Sequence, residues 1–323
     1  MKCPGCKSKK IIKRGRRAGK FGSEQLYFCK DCGRRFAGRS LEHKMYPARV
    51  IYNALNYYNL GYTFEQSSRL VNKKYKVKTS KSTVHLWINE FQGFCPISTA
   101  RNSFSGRDEV LFTKRFEHEN LDYEFMYHKY KLDVLVKKRF PGLAAYVTRF
   151  ENGCPDVFFE VGERCSKPSF EAEAKARKTS NLACRMAGFA VQAATSNREK
   201  HKLVERFMLI NDKATIACEI PVWYWEKSID TGITGHIDIL QVRNDLVYVL
   251  DYKPAAEKQN ALKVASQLYQ YASALSFRTR VPLKNIRCAW FDEESYYEYG
   301  PSEANITPAK KKGKGIVRPL DYV

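Results

Sequence analysis

The chain has no apolar run approaching the roughly 18 residues a membrane-spanning helix needs, and its basic start MKCPGCKSKK leads into no apolar leader segment. These absences point away from a membrane and toward a cytoplasmic, nucleoid-associated protein. Acid is scarce too: 34 Asp and Glu face 56 Lys and Arg, a net charge of +22. The deficit is local, because residues 1–90 hold 21 basic against 5 acidic side chains, which is +16, and the other 233 hold 35 against 29, which is +6. A chain so poor in acid at one end suits a polyanionic partner, DNA. Close cysteine pairs are missing from most of the length. Cys95, Cys154, Cys165, Cys184, Cys218 and Cys288 stand apart and read as small buried hydrophobes, and a cytoplasmic setting excludes structural disulfides. With 44% apolar and 13% aromatic residues in 323, the chain is globular and long enough for two or three domains.

What is present begins with two knuckles, Cys3 and Cys6 in CPGC and Cys29 and Cys32 in CKDCG, with 22 residues between them. Two Cys-x-x-Cys pairs at such a separation can close one tetrahedral Zn²⁺ site. Bound zinc would supply folding energy that a segment of about 38 residues cannot draw from its own core. The stretch QLYFCKDCGRRFAG, with Tyr27, Phe28, Arg34, Arg35 and Phe36 around the second knuckle, resembles the N-terminal zinc ribbon of many prokaryotic transposases. That resemblance implies a DNA-binding ribbon, with Arg34 and Arg35 on the DNA.

Residues 47–92 carry three helical patterns, the second opened by Thr63 and the third by Ser80 or Ser82. The second and third, joined by KVKTS, read as a helix-turn-helix. DNA contacts would then come from Lys81, Ser82, Thr83 and His85, with Val84, Trp87, Ile88 and Phe91 facing inward. Between residues 116 and 143, and again between 168 and 195, composition predicts mainly helix. His118 and His128 read as packing or surface histidines.

From residue 196 the order predicted is α-β-β-β-α-β, with the turn RND joining ITGHIDILQV to LVYVLDYK as a hairpin. Asp251 and Lys253 are two apart and share a face, and Asp238 in the neighbouring strand can approach them. Two carboxylates in apolar surroundings are costly unless a divalent cation joins them. The pattern thus predicts Mg²⁺ or Mn²⁺ on Asp238 and Asp251, Lys253 orienting water or stabilising charge on a phosphate, and His201 or Glu205, four apart on the preceding helix, completing the coordination. Gln267 and Tyr271 share a face of the following helix.

The joint pattern GHID, LDYK and QLYQY, with HKLVE upstream and ACEIPV between, is similar to the PD-(D/E)XK nuclease superfamily in its RecB-like branch. That likeness, over roughly residues 197–291, implies a metal-dependent DNA nuclease with His201 at the helical histidine position and Gln267 and Tyr271 as the branch-specific pair. Beyond residue 218 only Cys288 remains, so no iron-sulfur cluster is expected.

The fold class predicted is multidomain: an N-terminal zinc ribbon (1–40), a helix-turn-helix module (41–94), a mainly helical connector or nuclease extension (95–195), a C-terminal α/β restriction-endonuclease-like core (196–305) and a basic tail (306–323). The function expected is DNA cleavage in a mobile element or in genome defence or maintenance. The rivals are a transposase or recombinase-related protein and a non-catalytic DNA-binding regulator, and a homo-oligomer stays open.

Overall fold

The computed structural model describes residues 3–19, 22–37, 41, 44–99, 101, 110–118, 121–160, 163–167, 170–226 and 230–308. From residue 309 onward the expected basic tail lies outside them. Near the N-terminus β1 (Ile11–Gly19), β2 (Gly22–Cys29) and β3 (Arg35–Ala37) make a three-stranded antiparallel sheet. Helices α1 (Ala48–Asn59), α2 (Phe64–Tyr75) and α3 (Lys81–Phe91) follow. Thr63 and Gln66 close a capping box on α2, and Ser80 caps α3 by accepting from the Thr83 N–H. Val84, Trp87, Ile88 and Phe91 are buried, one stripe at helical spacing.

The segment expected to be helical from residue 116 is instead a hairpin, β4 (Leu111–His118) and β5 (Leu121–His128). Its aromatic residues alternate, Phe112 opposite Tyr127 and Phe116 opposite Tyr123, and this two-residue period outweighs the helix propensity of its Glu and Lys. Helix returns in α4 (Lys129–Lys131), which continues as a π-helical turn over Leu132–Lys137, then in α5 (Pro141–Arg149) and α6 (Asp156–Glu160). Strands β6 (Glu163–Arg164), β7 (Phe170–Glu173) and β8 (Arg177–Thr179) come before α7 (Leu182–Ala190), so the Ala-rich stretch is helical only in its second half. The elements from residue 196 run in the expected order: α8 (Asn197–Asn211), β9 (Thr215–Glu226), β10 (Thr231–Arg243), β11 (Leu246–Tyr252), α9 (Ala261–Thr279) and β12 (Ile286–Phe291). Then come β13 (Tyr296–Tyr299) and β14 (Asn305–Pro308), which takes in residues assigned to the tail and pairs with β7.

The C-terminal part is a mixed α/β sheet domain. Its strand order is β4-β5-β9-β10-β11-β12-β13-β8, with β6 alongside β10. The turn between β10 and β11 is the two-residue Asn244-Asp245, both at positive φ (49° and 65°), the conformation a tight hairpin demands. α9 carries the chain across to β12, which runs parallel to β11. α5 and α9 cover one face of the sheet around Trp223, Leu268 and Trp290; α7 and α8 cover the other around Phe207, Tyr252 and Phe291. The helices α1 and α3 belong to this second core. Tyr52 of α1 donates to the Leu203 carbonyl of α8 at 3.0 Å, and buried Asn59 and Asn211 bond at 2.6 Å, so the three N-terminal helices are built onto the sheet domain. Buried Lys131 donates to the carbonyls of Leu209, Asp212 (2.5 Å) and Thr215 (3.0 Å), which satisfies the C-terminal end of α8 where it turns into β9.

Candidate metal centre

Three features open one cavity in the sheet. The β10–β11 ladder ends at Ile239↔Leu250, and Asp238 and Asp251 are the next residues on the two diverging strands. On the other side Ile237↔Ile220 and Ile239↔Cys218 flank Asp238 and Glu219, and Glu219 holds φ at 52°, a left-handed conformation in mid-strand. Third, Gly235 has no room for a side chain: a Cβ there would stand 2.5 Å from Tyr271 Cε1 and 2.9 Å from Cys165 Sγ. The cavity is about 230 Å³, and α8 supplies His201 and Glu205 to it while α9 supplies Gln267 and Tyr271. Gln267 Nε2 donates to Tyr271 Oη at 2.9 Å.

His201, Glu205 and Asp238 offer donor atoms within 4.8 Å of one another, a spacing that could hold a metal ion. Asp251 stands beside this trio, fully buried, with its Oδ2 ion-paired to Lys253 Nζ at 2.7 Å. Among the described residues no hydrogen-bond donor reaches Asp251 Oδ1. Burial, then the Asp251 charge beside it, holds the Asp238 carboxyl well above its usual range. Burial, then the charges of Glu219 and Asp251, push Glu205 well up; burial is the main force taking Glu219 to about 7, with Lys202 opposing and Asp251 adding. Burial opposes the charge on Lys253, but Asp251 and Asp238 outweigh it and hold the ammonium. Burial, with Lys253 and Lys200, favours neutral His201 over the pull of Asp251, and neutral imidazole is the ligating form. Carboxylates crowded this way repel when charged, and a bound cation could relieve them.

Glu219, Tyr123 and Arg164 also line the cavity, beyond the residues the sequence pattern points to. Glu219 was visible as the one acid inside the apolar run ATIACEIPVWYW. Tyr123 and Arg164 gave no local signal, since the residues that bring them here are far away in sequence. Arg164 Nη2 donates to Tyr123 Oη at 2.6 Å, and the Tyr123 ring stacks on His236 with centroids 3.5 Å apart. His118 is buried and meets His236 at 3.2 Å.

At the N-terminus Cys3, Cys6, Cys29 and Cys32 come together, with Cys3 Sγ 3.5 Å from Cys32 Sγ and Cys6 Sγ 3.5 Å from Cys29 Sγ. The two knuckles repeat one geometry. The N–H of Lys7 donates to the Cys3 carbonyl at 2.8 Å and that of Gly33 to the Cys29 carbonyl at 3.0 Å, both residues at positive φ. The Cys6 N–H, donating to the Cys3 thiolate, holds that thiol down to about 6, which suits a metal-binding sulfur. The group could bind a structural zinc.

Arg34, Arg35, Lys81, Ser82 and His85 are exposed and Thr83 is half-buried. None of the six lines the cavity. His85 is partly engaged, edge-on to Phe64 with centroids 5.0 Å apart and 3.2 Å from Asn89. Among the described residues no helix is long and apolar enough to cross a membrane. Comparison with family models, curated proteins and solved structures finds no match for the chain.

Proposed function

We propose that the chain is a metal-dependent deoxyribonuclease of the PD-(D/E)XK kind, with a zinc ribbon over residues 1–40 and a helix-turn-helix in α2 and α3 bringing it to DNA. The observation that carries this reading is the convergence of three carboxylates, Glu205, Glu219 and Asp238, and a neutral histidine on one cavity, with Asp251 and its ion-pair partner Lys253 behind them. His201, Glu205 and Asp238 would hold Mg²⁺ or Mn²⁺, with Asp251 beside them to add a fourth carboxylate. When bound, the ion polarises a phosphate oxygen and eases deprotonation of water.

The chain's own side chains would do the rest. Lys253, fixed by Asp251, is a donor able to orient the attacking water or to meet charge growing on the phosphate. Arg164 at the wall offers a guanidinium to a phosphate of the entering strand. Gln267 and Tyr271, locked to each other, position the strand on the opposite side. The +16 charge of residues 1–90 would add phosphate contacts independent of sequence.

The test is cleavage of linear and circular DNA, single- and double-stranded, by wild type and Asp251→Ala in Mg²⁺, Mn²⁺ or EDTA. Metal-dependent cutting that the substitution abolishes is the expected result. DNA binding with no cutting in any metal would reject the nuclease in favour of a binding protein.

A further inference from the structure

A second cavity, of about 310 Å³, lies where α1 and α2 meet α8. It is larger than the metal cavity and falls in the range of small-ligand sites, which begins at about 300 Å³. Helix α8 serves both: His201 and Glu205 face the first cavity, while Leu203, Arg206 and Ile210 face the second. Three cations line it, Arg49 from α1, Lys74 from α2 and Arg206 from α8.

Their charge is poorly balanced. Arg49 has Glu199 only at 3.8 Å, and the Glu199 Oε2 already accepts from the Thr195 N–H and hydroxyl at 2.7 and 2.6 Å. Arg206 has Glu124 only at 4.0 Å. Lys74 forms no ion pair among the described residues; its Nζ donates to neutral Asn53 Oδ1 at 3.0 Å. Burial, then Arg206 and Arg49, lowers the proton affinity of Lys74. Three cations at one cavity with two carboxylates at the limit of ion-pair range are what an anion relieves. The same cavity carries flat, amphipathic surface in Tyr57 and Tyr75, and Asn53 Nδ2 donates to Tyr75 Oη at 2.7 Å, fixing that ring. Aromatic faces beside a cationic cluster fit a base or sugar next to a phosphate.

We propose that this cavity is a phosphate-binding site of nucleotide type, with the phosphate on Arg49, Lys74 and Arg206 and the adjoining nucleoside against Tyr57 and Tyr75. The phosphate can come from a free nucleotide or from a DNA strand crossing between α2 and the sheet domain.

The test reads binding by the full chain in EDTA, so it does not depend on whether the first cavity cuts DNA. Wild type, Lys74→Gln, Arg206→Gln and a control, Lys138→Gln, exposed and away from both cavities and from residues 1–90, are titrated with inorganic phosphate, a deoxynucleoside 5′-monophosphate and a short DNA duplex. Thermal unfolding verifies that all four fold alike. For a free-nucleotide site, the monophosphate binds saturably, inorganic phosphate competes, and each cavity substitution weakens binding at least about tenfold, the loss of one charge-assisted hydrogen bond. For a DNA phosphate, the duplex alone loses affinity in the two cavity variants, with a shallower salt dependence, and Lys138→Gln behaves as wild type. The proposal is overturned if no ligand distinguishes the cavity variants from wild type, or if Lys138→Gln matches them.

Discussion

Replacing Glu219 by Gln should stabilise the metal-free protein at alkaline pH, although it removes a charged group from the heart of the site. Glu219 is pushed from its ordinary 4.5 to about 7, chiefly by burial. At 1.36 kcal/mol per pH unit, that displacement separates the two protonation states by about 3 kcal/mol. The group keeps some exposure through the cavity, where water screens it, so about 3 kcal/mol is an upper limit. Because the folded value lies above the unfolded one, the ionised carboxylate works against folding. At pH 4 and below the carboxyl is protonated in both states and nothing is lost; through the window from 4.5 to 7 stability falls, and above 7 the whole penalty is in force. The left-handed backbone at φ 52° is common to Glu and Gln, so its strain cancels in the comparison. Urea unfolding in EDTA at pH 5 and pH 8 is the assay. Glu219→Gln should exceed wild type by up to about 3 kcal/mol at pH 8 and by much less at pH 5, and Mn²⁺ should narrow the gap by balancing the carboxylate. A variant whose advantage over wild type is no greater at pH 8 than at pH 5 would refute the idea that the buried Glu219 carboxylate works against folding.

Two further outcomes test other parts of the account. Lys131→Met removes the donor shared by the carbonyls of Leu209, Asp212 and Thr215 between α8 and β9 and should cost about 3 kcal/mol in urea unfolding; a cost below about 1 kcal/mol would mean that water replaces the ammonium. Cys29→Ser should remove bound zinc, read by elemental analysis of the purified chain, and weaken DNA binding while the sheet domain keeps its unfolding transition; unchanged zinc content would reject the four-cysteine site.

The parts of the fold legible beforehand were those written locally. The Asn244-Asp245 turn between two apolar strands, the caps at Thr63 and Ser80 and the two cysteine knuckles each carry their instruction within a few residues. The errors fell where distant partners decide. The run FEAEAK has helix-forming composition, yet Phe170–Glu173 is a strand because Asn305–Pro308 pairs with it. Asp238, Asp251 and Lys253 could be brought together from strand period alone. Glu219 could not, since its orientation depends on a left-handed residue in mid-strand; nor could Arg164, which arrives on a two-residue strand beside β10.

The most direct measurement is the uptake of Mn²⁺ from solution, followed by the loss of its free-ion EPR signal, in wild type and Asp238→Asn. The account predicts saturable uptake by wild type that the substitution abolishes, because Asp238 joins His201 and Glu205 with donor atoms within 4.8 Å of one another. No uptake by wild type, or equal uptake by both proteins, would contradict it.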